Sequence, residues 1–333
     1  GTHVHALERG RPLAAFEPGG SRADEFERFL KDERARGVLV LQDGRIRLER
    51  YVSPDTPTTR WNSFSVAKSI TSTLVGAAMK DGAIRSLDDP VTRYIRGLRG
   101  SVYDAVTVRQ LLTMTSGVKW NEDYTDPHSD VAQMYAQPPD PGFDMTVSYV
   151  RKLQREAPPG TKWVYKTSET NLVGVLVQEA TRKHLADYLS EKIWRPYGMQ
   201  RDAEWMIDDV GDEQGGCCLA MTLDDYGRFG QFILDGARIN GTSIVGDNWL
   251  PEATRTQVST GAPGAGYGYQ WWTRDDGTFE GRGIYGQTLH IDSARRLVVV
   301  INSATEQPTG RASGLARQAF IAAVGTELDA ERR

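Results

Sequence analysis

Along the first twenty residues, rich in Gly, Pro and Arg, apolar positions follow no period, which predicts an extended arm. Arg22–Arg36 sets Phe26, Phe29 and Leu30 among charged residues, the pattern of a surface helix. Gly37–Gln42 is a short apolar run, Asp43-Gly44 supplies a turn, and Arg45–Val52 places Ile46, Leu48 and Tyr51 on one face. Together they predict a β-hairpin. From Ser65 to Asp81 the spacing becomes helical, with Val66, Ile70, Leu74 and Ala77 or Ala78 on one side and Gly82 as a C-terminal stop.

A helix-rich middle follows, with helices expected at Thr107–Met114, Ser129–Ala136, Val147–Arg155, Ser168–Thr181, Leu185–Trp194 and Thr222–Leu234. Turns at Pro138-Pro139, Pro158-Pro159-Gly160 and Pro196 punctuate it. After Gly241 strand patterns return at Tyr267–Thr273, Gly283–Ile291 and Leu297–Ser303, and a last helix is expected over roughly Gly310–Glu327. Strands at both ends are too few to make two stable sheets, so one central antiparallel sheet joining the N- and C-terminal segments is expected, flanked by helices. The fold class is α/β, of the α+β kind. A single domain over 1–333 is expected, with its sheet in about 21–82 and 239–333, a helical insertion in about 83–238, and the arm in 1–20. A cleft between sheet and insertion is the natural place for chemistry.

Composition refines this picture only in part. The chain has 333 residues with 44 acidic and 40 basic side chains, so the net charge is −4. It lacks the basic field that nucleic-acid binding needs. Its longest apolar runs are too short to span a bilayer, so no membrane-spanning segment is expected. Five histidines, without an H-E-x-x-H pair, argue against a His-rich metal site, and no metal or cofactor is expected. His3-Val4-His5 reads as a cloning remnant, and the initial Gly suggests a trimmed N-terminus, which leaves localisation open between cytoplasm and periplasm. The two cysteines, Cys217 and Cys218, are adjacent. Neighbours do not easily reach disulfide geometry, so no disulfide is expected.

The best catalytic candidate is Ser65-Val66-Ala67-Lys68 at a helix start, where i and i+3 lie on one face. A serine hydroxyl is a poor nucleophile and needs an adjacent base. To serve at neutral pH the lysine pKa must fall from about 10.4 to about 7, which costs roughly 4–5 kcal/mol. Burial is the means, and the helix N-terminus favours negative charge developing on the serine oxygen. A second match, Ser116-Gly117-Val118-Lys119, lacks a helical period behind it; the alternative for either pair is a capping serine with a solvated lysine. No G-x-S-x-G occurs, and neither His290 nor His184 stands in a triad context.

Ser65–Lys68, followed by Val106–Gly117 and then Pro158–Tyr165, resembles serine hydrolases related to class C β-lactamases. That group includes penicillin-binding peptidases, esterases of β-lactamase fold and nylon-oligomer (6-aminohexanoate-dimer) hydrolases. The likeness spans about residues 35–325 and implies a β-lactamase-like fold. It implies Ser65 as the acylated nucleophile, Lys68 as its basic partner and Tyr165 as the Tyr-x-Asn tyrosine, a phenol of depressed pKa near the ammonium. The third motif falls at Gly281-Arg282-Gly283, with the N–H of Ile284 joining that of Ser65 in an oxyanion hole. Gly283–Gln287 and Asn121–Pro127 are similar to the nylon-oligomer branch, where Tyr124 would overhang the substrate; a capping loop is the other reading of that stretch.

Two positions depart from the family. Thr167 replaces the Asn of Tyr-x-Asn, which alters one substrate contact, and Gly281 replaces the third-motif cation. Arg282 would compensate only if it faced the site, and alternation points it to the other side of the strand. The expected activity is therefore hydrolysis of a carboxylic ester or linear amide through an acyl-enzyme, on a small-molecule substrate. The alternative is a β-lactamase or D-Ala-D-Ala peptidase-like enzyme, or a penicillin-recognising domain that is acylated without turnover. Trp120, Trp205, Trp271 and Trp272 are candidates for an apolar acyl pocket, or else core. The oligomeric state is not specified by these patterns.

Overall fold

The computed structural model describes residues 3–332. Ahead of the hairpin, β1 (Glu8–Arg9) and α1 (Ala23–Asp32) lead into β2 (Ala35–Gln42) and β3 (Arg45–Tyr51). Asp43 and Gly44 both take positive φ, as the tight turn between β2 and β3 requires. The surface helix is shorter than its pattern suggested, because Ala35 and Arg36 already pair in the sheet. The arm is more than extended chain: β1 runs parallel to β3, and His5 stacks on Tyr197 at 4.5 Å while its N–H donates to the Gly198 carbonyl. Residues 1 and 2 lie outside the described part.

Next come β4 (Arg60–Asn62) and α2 (Ala67–Lys80), the latter entered through a 3₁₀ turn at Phe64–Val66. The middle holds α3 (Val108–Leu112), α4 (Asp130–Ala136), α5 (Met145–Val150), α6 (Thr167–Thr181), α7 (Leu185–Leu189) and α8 (Arg195–Tyr197). Thr107 caps α3 with Gln110 in a reciprocal capping box, and Ser129 caps α4. A short sheet of β4, β5 (Glu204–Trp205) and β6 (Leu219–Thr222) precedes α9 (Leu223–Leu234). A ribbon of β7 (Arg238–Ile239) and β8 (Thr242–Ser243) then leads to α10 (Trp249–Ala253).

Six strands complete the main sheet: β9 (Val258–Ser259), β10 (Ala265–Tyr267), β11 (Trp272–Arg274), β12 (Phe279–Arg282), β13 (Thr288–Asp292) and β14 (Leu297–Ser303); α11 (Arg311–Glu331) closes the chain. Its order is β1-β3-β2-β14-β13-β12-β11-β10-β9. Except for the parallel β1–β3 edge, which makes the sheet mixed, every pairing is antiparallel. Two runs expected as single strands are each interrupted by a turn. Gln270 at positive φ separates β10 from β11, and Tyr285 at positive φ follows the end of β12. An alternation count does not register such left-handed residues.

The N-terminal β2 and C-terminal β14 pair side by side at the centre, with Val40 opposite Val299 and Leu39 opposite Val300. Covered on both faces, they are continuous apolar runs. One face carries α1 and α11, where Phe26 and Phe29 stack on Phe320. On the other lie α2 and α9. Helix α9 comes close because Gly227 and Gly230 face the sheet: a Cβ there would stand 2.5 Å from Leu39 Cδ2 and 2.5 Å from Val298 Cγ1. Gly230→Val is expected to destabilise the fold by about 1–3 kcal/mol through overpacking. The check is the urea midpoint, and an unchanged midpoint would show that α9 stands off the sheet.

Candidate active site

Helix α2 is buried almost all round rather than along one stripe, and its hydroxyls explain how. Ser69 Oγ donates to the Gln270 carbonyl (2.8 Å), Ser72 Oγ to the Tyr269 carbonyl (2.6 Å) and Thr71 Oγ1 to the Gly215 carbonyl (2.7 Å). Each polar group thus enters the interior already paired. These bonds clamp α2 between the chain leading into β11 and the segment 215–218.

Ser65 lies in the 3₁₀ turn at the head of this helix, and Lys68 follows in its first turn. Ser65 opens onto a cleft of about 800 Å³, shared with Glu122, Tyr124, Tyr165, Trp272, Arg282, Gly283 and Ile284. The second Ser-x-x-Lys match folds differently: Ser116 Oγ accepts from Val118 N–H in a buried turn, and Lys119 is exposed.

Lys68 is 1% exposed. Its Nζ donates to the Gly216 carbonyl at 2.6 Å and to Thr167 Oγ1 at 3.1 Å, and stands 5.3 Å from the centre of the Tyr165 ring. Thr167 in turn donates both its hydroxyl and its N–H (2.9 Å) to the Glu122 carboxylate. Trp120 Nε1 and the Tyr124 hydroxyl (2.6 Å) donate to the same carboxylate. In all four bonds Glu122 is the acceptor. Burial pulls the lysine down to about 7, against the opposing pull of Glu122. The shift expected from the Ser-x-x-Lys pattern is present, and desolvation is its main source.

Tyr165 behaves oppositely to the sequence expectation. Burial pushes its phenol above the ordinary value and Glu122 adds to this, while the facing Ser65 hydroxyl and Arg282 pull the other way. The Tyr165 phenol therefore keeps its proton at neutral pH, whereas the Lys68 amine exchanges its proton near 7. The Tyr165 ring stacks on Trp272, 5.5 Å between centroids, and the Arg282 guanidinium lies 4.8 Å from the Trp272 ring centre.

A Cβ on Gly281 would lie 3.1 Å from Ser69 Oγ and 3.2 Å from Val66 Cγ1, so β12 lies against α2 there. Arg282 does point to the opposite face, as alternation requires, yet that face also borders the cleft. Arg282 is held by Glu280, whose carboxyl stays below the usual range because Arg282 and His290 outweigh the effect of burial. Gly283 must be a glycine, since a Cβ would stand 2.6 Å from the Ser63 carbonyl oxygen.

On either side of the two expected oxyanion donors, neighbouring amides are pinned. Phe64 N–H donates to Asn62 Oδ1 (2.9 Å) and Val66 N–H to the Ser63 carbonyl (3.1 Å). Gly283 N–H donates to the Gln287 carbonyl (2.8 Å) and Tyr285 N–H to that of Pro308 (2.9 Å). Phe64 and Tyr285 both take positive φ, and their rings lie 5.4 Å apart. Such left-handed residues cluster where backbone is held for function.

Ser65, Lys68, Tyr165, Thr167, Tyr124, Gly283 and Ile284 thus lie in one neighbourhood. Sequence reasoning missed Glu122 and Gly216; within an acidic stretch nothing marks which carboxylate turns inward. The cysteines are corrected outright, because Cys217 and Cys218 form a disulfide. Cys218 sits at positive φ in a sharp turn, which lets adjacent side chains meet. Both line a second cavity of about 270 Å³ beside Ser65, with Phe64, Tyr135, Met206 and Ile284. Of the four tryptophans, Trp272 borders the large cleft, while Trp271 is core.

Residues 23–324 match the sequence family described as beta-lactamase. A 6-aminohexanoate-dimer hydrolase of Paenarthrobacter ureafaciens is 28% identical over 340 residues, covering 96% of this chain and 85% of its own. Among solved structures, a Bacillus anthracis protein provisionally described as a 6-aminohexanoate-dimer hydrolase has a TM-score of 0.85 at 24% identity, covering 99% of this chain and 89% of that one. An octameric penicillin-binding protein homologue from Pyrococcus abyssi has a TM-score of 0.71 at 19% identity, covering 93% and 78%. At these identities the structural likeness speaks to the fold.

Burial of Lys68 has a consequence for stability. The unfolded chain binds its proton near 10.5 and the folded chain near 7. Below both values the fold carries the full cost of the buried ammonium. As pH rises from about 7 to about 10.5 that cost, roughly 5 kcal/mol, is relieved, and stability gains accordingly. Lys68→Met is expected to flatten this rise in urea unfolding at about pH 6, 8 and 9.5. A variant with the wild-type slope would show a solvated ammonium.

Proposed function

The chain belongs to the beta-lactamase family and is a hydrolase, and from that premise we propose that it cleaves a carboxylic ester or a linear amide through an acyl-enzyme on Ser65. The observation that carries this reading is the buried Lys68, brought down to about 7 one helical turn from Ser65. Neutral Lys68 takes the Ser65 proton as Oγ bonds to the substrate carbonyl carbon. The N–H groups of Ser65 and Ile284 receive the developing oxyanion, an arrangement in which each donor is typically worth about 3–4 kcal/mol. Tyr165, protonated at rest, delivers a proton to the departing alcohol or amine and draws its replacement from Lys68. Water then attacks the acyl carbon while the same pair takes its proton, and as the acyl–Oγ bond breaks that proton passes to Ser65 Oγ, restoring the hydroxyl. Thr167 and Glu122 keep the lysine in place through these transfers.

Substrate dimensions follow from the two spaces at Ser65. The narrow cavity is lined largely by apolar groups and suits a compact acyl chain; the wider cleft, with Trp272 and Arg282, suits the leaving portion. Tyr124 and Gly283 border the cleft and would contact that portion. One observation favours the second reading, a β-lactamase-like or peptidase-like activity or acylation without turnover: Arg282 offers a counter-charge to a substrate carboxylate.

The panel that separates these readings is p-nitrophenyl esters, 6-aminohexanoate oligomers and nitrocefin, followed by turnover and intact mass. A transient acyl adduct on Ser65 with repeated turnover of esters or linear amides is expected, and Ser65→Ala should lose about 10³-fold or more. Full turnover by Ser65→Ala ends the proposal, and a permanent adduct selects the non-turnover alternative. The acid limb of kcat/KM should lie near pH 7, because activity requires neutral Lys68. Glu122 and Tyr165 are the titratable groups facing that amine. Glu122→Gln should move the limb to lower pH, since its carboxylate favours the ammonium; a limb that stays in place overturns this assignment.

A further inference from the structure

The Cys217–Cys218 disulfide occupies a place that the acyl-transfer reading leaves unused. It lies between two of that site's contacts. On its N-terminal side, the Gly216 carbonyl accepts from Lys68 Nζ at 2.6 Å. At its own C-terminal residue, the Cys218 N–H donates to the carbonyl of Phe64, the residue before the nucleophile, at 3.2 Å. Its two sulfur-bearing residues also help to line the cavity beside Ser65.

The backbone here has little room to choose another path. Gly216 N–H donates to Asn171 Oδ1 (2.8 Å), and a Cβ at that position would lie 2.7 Å from Asn171 Oδ1 and 3.1 Å from Lys68 Nζ. Trp205 Nε1 donates to the carbonyls of Gln214 (2.8 Å) and Cys217 (2.9 Å). These bonds hold the Gly216 N–H and the Cys217 carbonyl, while the Gly216 carbonyl meets Lys68 Nζ. Cys218, at positive φ and without a glycine's freedom, is held against relaxation toward an ordinary conformation by its N–H on the Phe64 carbonyl and by the Met206 N–H on its own carbonyl (3.0 Å). The covalent bond to Cys217 opposes that relaxation.

We propose that the Cys217–Cys218 disulfide is a positioning element of the acyl site, fixing the Gly216 carbonyl on Lys68 and closing the apolar wall of the cavity beside Ser65. The proposal rests on the reading of Ser65 and Lys68 given above. A dithiol reverses it: the S–S bond breaks, two S–H bonds form, and the dithiol supplies two electrons and two protons as it closes to its own cyclic disulfide. Cys217 is buried and Cys218 is half-exposed toward the cavity, so a small dithiol reaches the bond from the substrate side. Reduction lets Cys218 turn, opens the wall and loosens the carbonyl from the lysine. Loss of an acceptor that favours the ammonium lowers the lysine pKa further. The facing groups, Glu122 acting through Thr167 and the ring of Tyr165, belong to other segments and stay in place.

The experiment compares the oxidised protein with the same protein treated with dithiothreitol, each state verified by thiol alkylation and mass. Three properties are read: the rate of Ser65 labelling by a fluorophosphonate, kcat/KM across p-nitrophenyl esters of increasing acyl length, and the acid limb of the pH profile. The oxidised form should label about tenfold faster or more, prefer one acyl length, and have the higher acid limb. The reduced form should lose the length preference and shift its limb to lower pH, with recovery on reoxidation. The double variant Cys217→Ser/Cys218→Ser should match the reduced form and ignore dithiothreitol. Equal labelling and equal profiles in both states overturn the proposal. So do two free thiols in the untreated protein, or a loss of rate with limb and length preference unchanged. No labelling of Ser65 in either state overturns the serine reading together with this one, whereas equal labelling in both overturns this one alone.

Discussion

An ammonium group taken out of water governs much of what surrounds it. Lys68 has Gly216 and Thr167 as its hydrogen-bond acceptors, and both are placed by other parts of the chain. Thr167 opens α6, and Glu122, which steadies Thr167, comes from the loop before α4. Gly216 is placed by Asn171 of α6 and by the clamp between Thr71 and the Gly215 carbonyl. Remove any one and a buried cation is left with fewer partners, which costs far more than the lost bond itself. The same burial makes the amine available near neutrality, so the fold carries an electrostatic penalty in order to hold a base.

Glycine has a corresponding part on the sheet side. Gly283 brings the end of β12 against the turn that holds Ser65 closer than a side chain would permit, and Gly281 lies tightly against Val66 and Ser69. Gly281 stands in place of the cation that relatives are expected to carry at the start of this motif. Arg282 restores positive charge from the other face, through its stack on Trp272 and its tie to Glu280. The charge therefore enters the cleft beside Tyr165 rather than directly over the nucleophile.

How much of this the sequence discloses depends on the range of the interaction. Helices α2, α6 and α9 are legible because their apolar spacing is local, as is the Thr222 cap of α9. The pairing of β2 with β14 is legible as a need, since neither end of the chain holds enough strand to bury its own face. The Ser65–Lys68 spacing is legible because one helical turn suffices to bring the two together. By contrast, the breaks at Gln270 and Tyr285 depend on left-handed residues that no alternation reveals. Glu122 turns inward because Trp120, Tyr124 and Thr167 converge on it, and only the folded chain brings Thr167 to that loop. The bridge at Cys217–Cys218 likewise needs the backbone turn at Cys218, while general expectation for adjacent cysteines points the other way.

Ser65 precedes most of the chain and Ile284 follows most of it, and they meet only because β2 and β14 have zipped together across nearly the whole sequence. Closing so long a loop is entropically slow compared with forming any single helix. During synthesis the nucleophile, its lysine and much of the helical middle emerge well before β12 exists. The proposed acyl-transfer site therefore stays incomplete until the last strands arrive. Appearance of activity marks completion of the sheet, and a chain cut short before residue 284 lacks one of the two proposed oxyanion donors however well its helices form.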